Sequence, residues 1–246
     1  MVSFVQSVAL DPTFFVPLID MSRWRDYLVT LVVAVVLALF VRSYIVTAYK
    51  VPTGSMQPTL KPGDFIFSSR MSYGVHLPLI DHVLSPELPE RGDLVVFSYP
   101  QQKNISYVKR VVALPGDRVQ VVDGRLIINE VPVNYELGEG GAKHDNPNPE
   151  LFEIYREKMQ DHSHSVIFQK ENSQKNFGPL VVPPDEVFLL GDNRDASDDS
   201  RYWGTVPMDH LVGKVFLVWL SLDWQAKWGG ERYPSVRWNR VFSNVH

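Results

Sequence analysis

Ile105-Ser106-Tyr107-Val108-Lys109-Arg110-Val111-Val112-Ala113-Leu114 is rich in β-branched residues and runs into Pro115-Gly116-Asp117. That is the composition of a strand ending in a turn. Successive strand side chains face opposite ways, so Lys109 shares a face with Tyr107 and Val111, while Val108 and Arg110 share the other. Outward from it the pattern repeats. Residues 118–122 and 125–129 flank the hairpin signal Asp123-Gly124. Upstream, Arg91-Gly92 launches Asp93-Leu94-Val95-Val96-Phe97, and Asp64-Phe65-Ile66-Phe67 is a further short strand. Downstream, Val187-Phe188-Leu189-Leu190 and residues 212–221 read as buried strands. Many short strands with frequent turns predict a mainly β fold, antiparallel sheets in a barrel- or sandwich-like domain.

Between these strands, residues 71–89 hold too many Gly and Pro for more than a loop. Residues 134–180 change character. Gly138-Glu139-Gly140-Gly141 and Asn146-Pro147-Asn148-Pro149 read as turns, residues 150–159 as one short helix, and 165–170 as a strand. This is a partly β insertion in the main domain. The chain thus divides into a tail (1–26), a membrane anchor (27–49), a first core part (50–133), the insertion (134–180) and a second core part (181–246).

The anchor rests on the apolar run 27–41, short for a hydrocarbon core about 30 Å thick. Residues 42–49 complete it if Arg42 reaches back to the headgroups. Trp24, Tyr27, Tyr44 and Tyr49 stand where interfacial aromatics belong. A secretory signal peptide ending near Val46-Thr47-Ala48 is the alternative. Arg23 and Arg25 before the run nearly balance Arg42 and Lys50 after it, so charge alone leaves orientation open. The tail carries Asp11-Pro12, Pro17 and Asp20, which suit an interfacial or irregular segment better than a crossing. The 246 residues carry a formal charge of −4, which gives no electrostatic case for nucleic-acid binding. There is no cysteine, so thiolate chemistry and disulfides are excluded.

For chemistry, Val51-Pro52-Thr53-Gly54-Ser55-Met56-Gln57-Pro58-Thr59-Leu60 places a serine in an irregular stretch suited to exposing a hydroxyl among free N–H groups. A Pro/Gly linker is the plain alternative. Ser-His-Asp catalysis through His76, His82 or His210 stays open, though none stands in a compact polar cluster. His144, His162 and His164 lack a metal-ligand spacing and read as solvated loop residues. Residues 192–199 lack the glycine and closing glutamate of a calcium loop. No metal and no cofactor is expected. Lys109 on a partly apolar face is a candidate base, because burial disfavours its charged form. Bringing it near 7 takes about 4–5 kcal/mol. On spacing alone, a strand lysine reaching out to water is the simpler account.

Four blocks together resemble the type I signal peptidases (leader peptidases), membrane-bound serine endopeptidases of the Ser-Lys class. They are residues 55–59, 91–97, 107–117 and 191–204, in the family's order and preceded by the anchor. The resemblance implies Ser55 as nucleophile and Lys109 as general base, with an acyl-enzyme intermediate. It implies an oxyanion hole from the Ser55 N–H and the Thr53 hydroxyl, where many members carry serine. It makes Ser197 the residue that orients the lysine, with Asp199, Arg201 and Arg110 in support. Val51, Pro52, Met56, Leu60, Tyr107 and Val108 are then the expected linings of shallow pockets for small side chains before the cut. The implied partners are preprotein signal peptides, the phospholipid membrane and the secretion machinery, with the domain on the outer face of the inner membrane and the N-terminus in the cytoplasm. The rivals are another Ser-Lys hydrolase with a different substrate and an inactive membrane-anchored β scaffold.

Overall fold

The computed structural model describes residues 21–40, 45–73, 75–76, 83–84, 87–137, 150–160, 162–170, 176–228 and 233–245. Two compact units emerge, residues 1–41 and 42–246. In the first, α1 (Met21–Phe40) covers most of the apolar run, which lacks Gly and Pro and has nothing to break a helix. Among the described residues no helix is long and apolar enough to cross a membrane. The expected crossing to Tyr49 also differs from what is found, because Val46–Lys50 is a strand. Its β-branched and aromatic residues pair antiparallel with 65–69, and that pairing wins over a continued helix.

The second unit is built from antiparallel sheets. Its strands are β1 (Val46–Lys50), β2 (Asp64–Ser69), β3 (Val75–His76), β4 (Val83–Leu84), β5 (Leu94–Tyr99), β6 (Gln102–Ala113), β7 (Arg118–Val122), β8 (Arg125–Ile128) and β9 (Val131–Pro132). They continue as β10 (Asn134–Leu137), β11 (Phe152–Met159), β12 (His162–Gln169), β13 (Phe177–Val181), β14 (Glu186–Leu190), β15 (Val206–Pro207), β16 (Leu211–Trp228), β17 (Tyr233–Val236) and β18 (Ser243–Asn244). A short helix, α2 (Ser200–Trp203), follows β14. The largest sheet runs β1-β2-β16-β5-β6-β14-β15 with β17 and β18 on β16. Among the described residues its two ends do not pair, so the sheet is not a closed barrel. Smaller sheets are β13-β7-β8-β9 and β10-β11-β12.

Strand β6 joins three apolar clusters. Val112 packs with Val119, Leu126 and Phe188; Val108 packs against Val51, Met56, Leu60 and Ile66; Val111 packs with Val95, Phe97 and Leu189. Burying one such side chain contributes about 1.5–3 kcal/mol. The strand most easily read from sequence is therefore the one around which the core is arranged.

Several expectations need correction. Residues 150–159 are not a helix: Phe152–Met159 is β11, paired along its length with β12. The polar letters misled, since Ile154, Glu157 and Met159 are all buried against the partner strand or its neighbours. Residues 71–89 are not loop throughout, because β3 and β4 pair there. The last core strand is longer than expected, at 18 residues. Towards the C-terminal end, Trp224, Tyr233, Trp238 and Phe242 are exposed.

Candidate active site

The loop that carries Ser55, residues 51–60, begins after β1 and is pinned at both ends by the backbone. Val51 N donates to Asp64 O, and Leu60 N donates to Met56 O. Val51, Met56 and Leu60 are buried anchors, which leaves Ser55 partly exposed and Pro52 and Thr53 exposed. Beside this loop runs β6. Strand β14 pairs with β6 at Leu190↔Arg110, so the polar segment 191–199 emerges next to Lys109.

Three side chains from these three pieces of chain meet. Lys109 Nζ donates to Ser55 Oγ at 2.9 Å and to Ser197 Oγ at 2.9 Å. Lys109 is 3% exposed, so it does not reach out to water. Burial brings its pKa down to about 8, against an opposing pull from the carboxylates of Asp199, Asp198 and Asp192. That is less than the fall to 7 expected from sequence, and those acids are the reason. The difference from the ordinary value is about 3 kcal/mol.

The segment that carries Ser197 is tied down by charge. Asp199 caps α2 and accepts from Gly191 N. Arg201 holds both oxygens of Asp199 (2.8 and 2.9 Å) and also reaches Arg194 O. Gly191 is required by close approach. A Cβ there would lie 2.2 Å from Ser197 Oγ and 2.6 Å from Ser55 O.

Arg110, on the opposite face from Lys109, is 1% exposed. Its Nε and Nη2 hold the two oxygens of Asp192 at 2.8 and 2.7 Å, and its Nη1 donates to Gly92 O. Thr59 Oγ1 donates to the same carboxylate at 2.5 Å. Burial alone would raise the Asp192 pKa, but the guanidinium lowers it below the ordinary range. Behind Asp192 lies a second pair. Arg194 Nη2 donates to Glu157 Oε1 at 2.6 Å, and both are buried.

His164 stands 3.1 Å from Glu157 and is buried. It is therefore not a solvated loop residue, as expected, but part of the core face of β12. Burial and the nearby Arg110 depress its pKa, against an opposing pull from Glu157 and Asp192. His162 on the same strand is half-exposed near Glu90, and His144 and His82 lie outside the described residues. Ser55 Oγ is bonded to a lysine, so the described geometry offers it no histidine partner.

The expected pocket residues divide. Tyr107 and Val108 are half-buried and Pro52 exposed; Val51 and Met56 retain 5% and 1% exposure. Leu60 has none and backs the site from the core. Sequence reasoning missed Thr59, Asp192 and Asn193. Their only signal was position, within or beside the two polar blocks that carry Ser55 and Ser197.

A chain with a serine hydroxyl bonded to a buried lysine amine has the parts of a hydrolase whose base is an amine. The family model and the curated relatives are those of peptidases. The family described as "Signal peptidase, peptidase S26" matches residues 24–220. The signal peptidase I of Pseudomonas fluorescens is 43% identical over 201 residues, covering 75% of this chain and 68% of that one. That of Buchnera aphidicola (subsp. Acyrthosiphon pisum) is 36% identical over 247 residues, covering 84% and 78%. A signal peptidase I structure from Enterococcus faecalis V583 is 30% identical over 52% of this chain and 97% of that one, at a TM-score of 0.33. The chain belongs to the signal peptidase family.

Proposed function

We propose that the chain is a serine endopeptidase that removes N-terminal signal peptides from exported preproteins, with Ser55 as nucleophile and Lys109 as general base. One observation carries the reading: a buried lysine amine lies 2.9 Å from both Ser55 Oγ and Ser197 Oγ. A neutral amine has one lone pair and N–H bonds to spare. The lone pair takes the Ser55 proton as Oγ attacks the scissile carbonyl, while an N–H bond to Ser197 Oγ keeps the lone pair aimed. The ammonium so formed is favoured by the field of Asp199, Asp198 and Asp192 and returns the proton to the departing amine. Water then attacks the acyl-enzyme with Lys109 again as base.

The Ser55 N–H and the Thr53 hydroxyl receive the developing oxyanion. Thr53 is exposed on the loop two residues before the nucleophile. An extended signal peptide pairs with strand edges near residues 51–53 and 105–108. Its small side chains enter pockets lined by Val51, Pro52, Met56, Tyr107 and Val108, with Leu60 behind them.

The domain works at the outer face of the inner membrane, held there by the N-terminal segment. The exposed aromatics Trp224, Tyr233, Trp238 and Phe242 suit contact with the headgroup region. Sharing a membrane with the substrate raises effective concentration, so shallow pockets suffice. Supply of preproteins by the secretion machinery follows from that placement. Incubation of the purified protein with a preprotein tests the reading. Cleavage at the signal-peptide junction is expected for the parent and none for Ser55→Ala or Lys109→Met; cleavage surviving in either variant contradicts it.

A further inference from the structure

Asn193 has been given no role, yet it touches the nucleophile loop twice. Its backbone N–H donates to Ser55 O at 3.0 Å. Its side-chain Nδ2 donates to Gly54 O at 3.2 Å. These two carbonyls belong to different peptide units, one on each side of the Ser55 Cα. The Gly54 carbonyl shares its rigid plane with the Ser55 N–H, and in a trans peptide the two point in opposite directions. Holding that oxygen therefore aims that N–H.

The geometry points to Asn193 as the positioning residue of the oxyanion hole: its side-chain amide grips Gly54 O and so turns the Ser55 N–H toward the place where the oxyanion forms. This rests on the Ser55–Lys109 reading above. A hydrogen bond accepted by a peptide carbonyl also polarises the N–H of the same unit, which strengthens it as a donor. Gly54 O additionally accepts from Gln57 N at 3.1 Å, so the plane is held by a local turn and by a residue distant in sequence. A donor fixed before the reaction needs no reorganisation as charge develops.

Three features separate this from ordinary core packing. First, Asn193 is 7% exposed and its Oδ1 is buried with no protein partner among the described residues. The amide is not knitted into several neighbours, and the Gly54 contact is its defined bond. Second, Asn193 is itself held from behind by the insertion. Ile167 of β12 donates to Asp192 O at 2.9 Å and accepts from Arg194 N at 3.0 Å, an isolated parallel bridge centred on Asn193. Third, the residues on either side are locked by buried ion pairs, Asp192 to Arg110 and Arg194 to Glu157. The hairpin of β11 and β12 thus acquires a task. It backs the segment that aims the oxyanion donor.

Substitution of the side chain leaves the backbone bond to Ser55 O in place, so Asn193→Ala isolates the Gly54–Ser55 peptide. The experiment uses the full-length protein in detergent micelles. It measures kcat and KM on a signal-peptide substrate, the affinity of a substrate-derived peptide boronate, and thermal unfolding. The boronate becomes tetrahedral on Ser55 Oγ and presents an oxyanion. Asn193→Ala is expected to lower kcat on the order of tenfold to hundredfold with KM unchanged, and to weaken the boronate by the same factor. The uncleaved peptide should bind Ser55→Ala and Ser55→Ala/Asn193→Ala equally. Asn193→Asp, of the same shape, faces Gly54 O with a second acceptor and should lose more than the alanine variant. It gives the answer if the alanine variant does not fold. Parental kcat in these variants overturns the inference, as does a loss of kcat with boronate affinity intact. Activity remaining in Ser55→Ala would instead remove the reading on which the inference rests.

Discussion

Lys109 and Arg110 are consecutive cations on one strand, both buried, and the protein treats them in opposite ways. Arg110 faces a carboxylate that it holds through two nitrogens, with Thr59 completing the acceptor. Lys109 faces two hydroxyls; the acids that influence it act through space rather than by direct contact. A direct carboxylate stabilises the charged form of a buried cation, whereas hydroxyls accept the same hydrogen bonds without supplying charge. One neighbour is consequently fixed as a structural cation and the other left with a pKa of about 8. An arginine could not have served at position 109, because guanidinium does not lose its proton in proteins. Burial without an ion pair is what the proposed role of Lys109 as general base requires in a packed sheet.

The sharpest way to break the contrast is Lys109→Arg. It keeps the charge and removes the lone pair, and activity on a preprotein should fall on the order of 10³-fold with the fold retained by circular dichroism. Next in size is stability. Arg110→Ala strands the buried Asp192 and should cost about 3–5 kcal/mol in urea unfolding. Lys109→Met removes an unfavourably buried amine and should cost nothing at pH 7. The sign of the linked pH effect follows. Between about 8 and 10.5 the unfolded lysine holds a proton that the folded one has lost, so stability rises with pH across that window. The rise, about 3 kcal/mol, is absent below about 8 and should vanish in Lys109→Met.

Ser197→Asp makes the lysine resemble its neighbour. A carboxylate in contact with Nζ should push the acidic limb of the kcat/KM profile upward by about 1–3 pH units. The smallest effect is expected from Asp198→Asn. Asp198 is exposed and one of the acids that oppose the fall in the Lys109 pKa. Its neutralisation should shift the same limb slightly downward, measurably so at low salt because exposed charges are screened.

Much of this contrast was legible in the chain and some was not. Strand β6 could be read directly because its β-branched run is long and bounded by a turn. Period-2 alternation alone puts Lys109 and Arg110 on opposite faces. What alternation does not give is the partner. Arg110 meets Asp192 across 82 residues and Arg194 meets Glu157 across 37, distances over which a single sequence carries no pairing signal. The same blindness explains β11. Its segment, FEIYREKM, looks like a charged helix until Glu157 is seen buried against Arg194 and His164. His164 was misread for the same reason, since a polar residue is buried only when its partner is present. Likewise Val46–Lys50 looks like the end of an apolar helix and is a strand because β2 is there to receive it.

Catalysis by Lys109 depends on the protonation of one amine, and that can be observed directly. With lysines labelled at the ε-carbon, the Lys109 resonance, assigned by its loss in Lys109→Met, should titrate near pH 8 and coincide with the acidic limb of kcat/KM. A Lys109 resonance that stays protonated past pH 10, in an enzyme already fully active below it, would contradict the account.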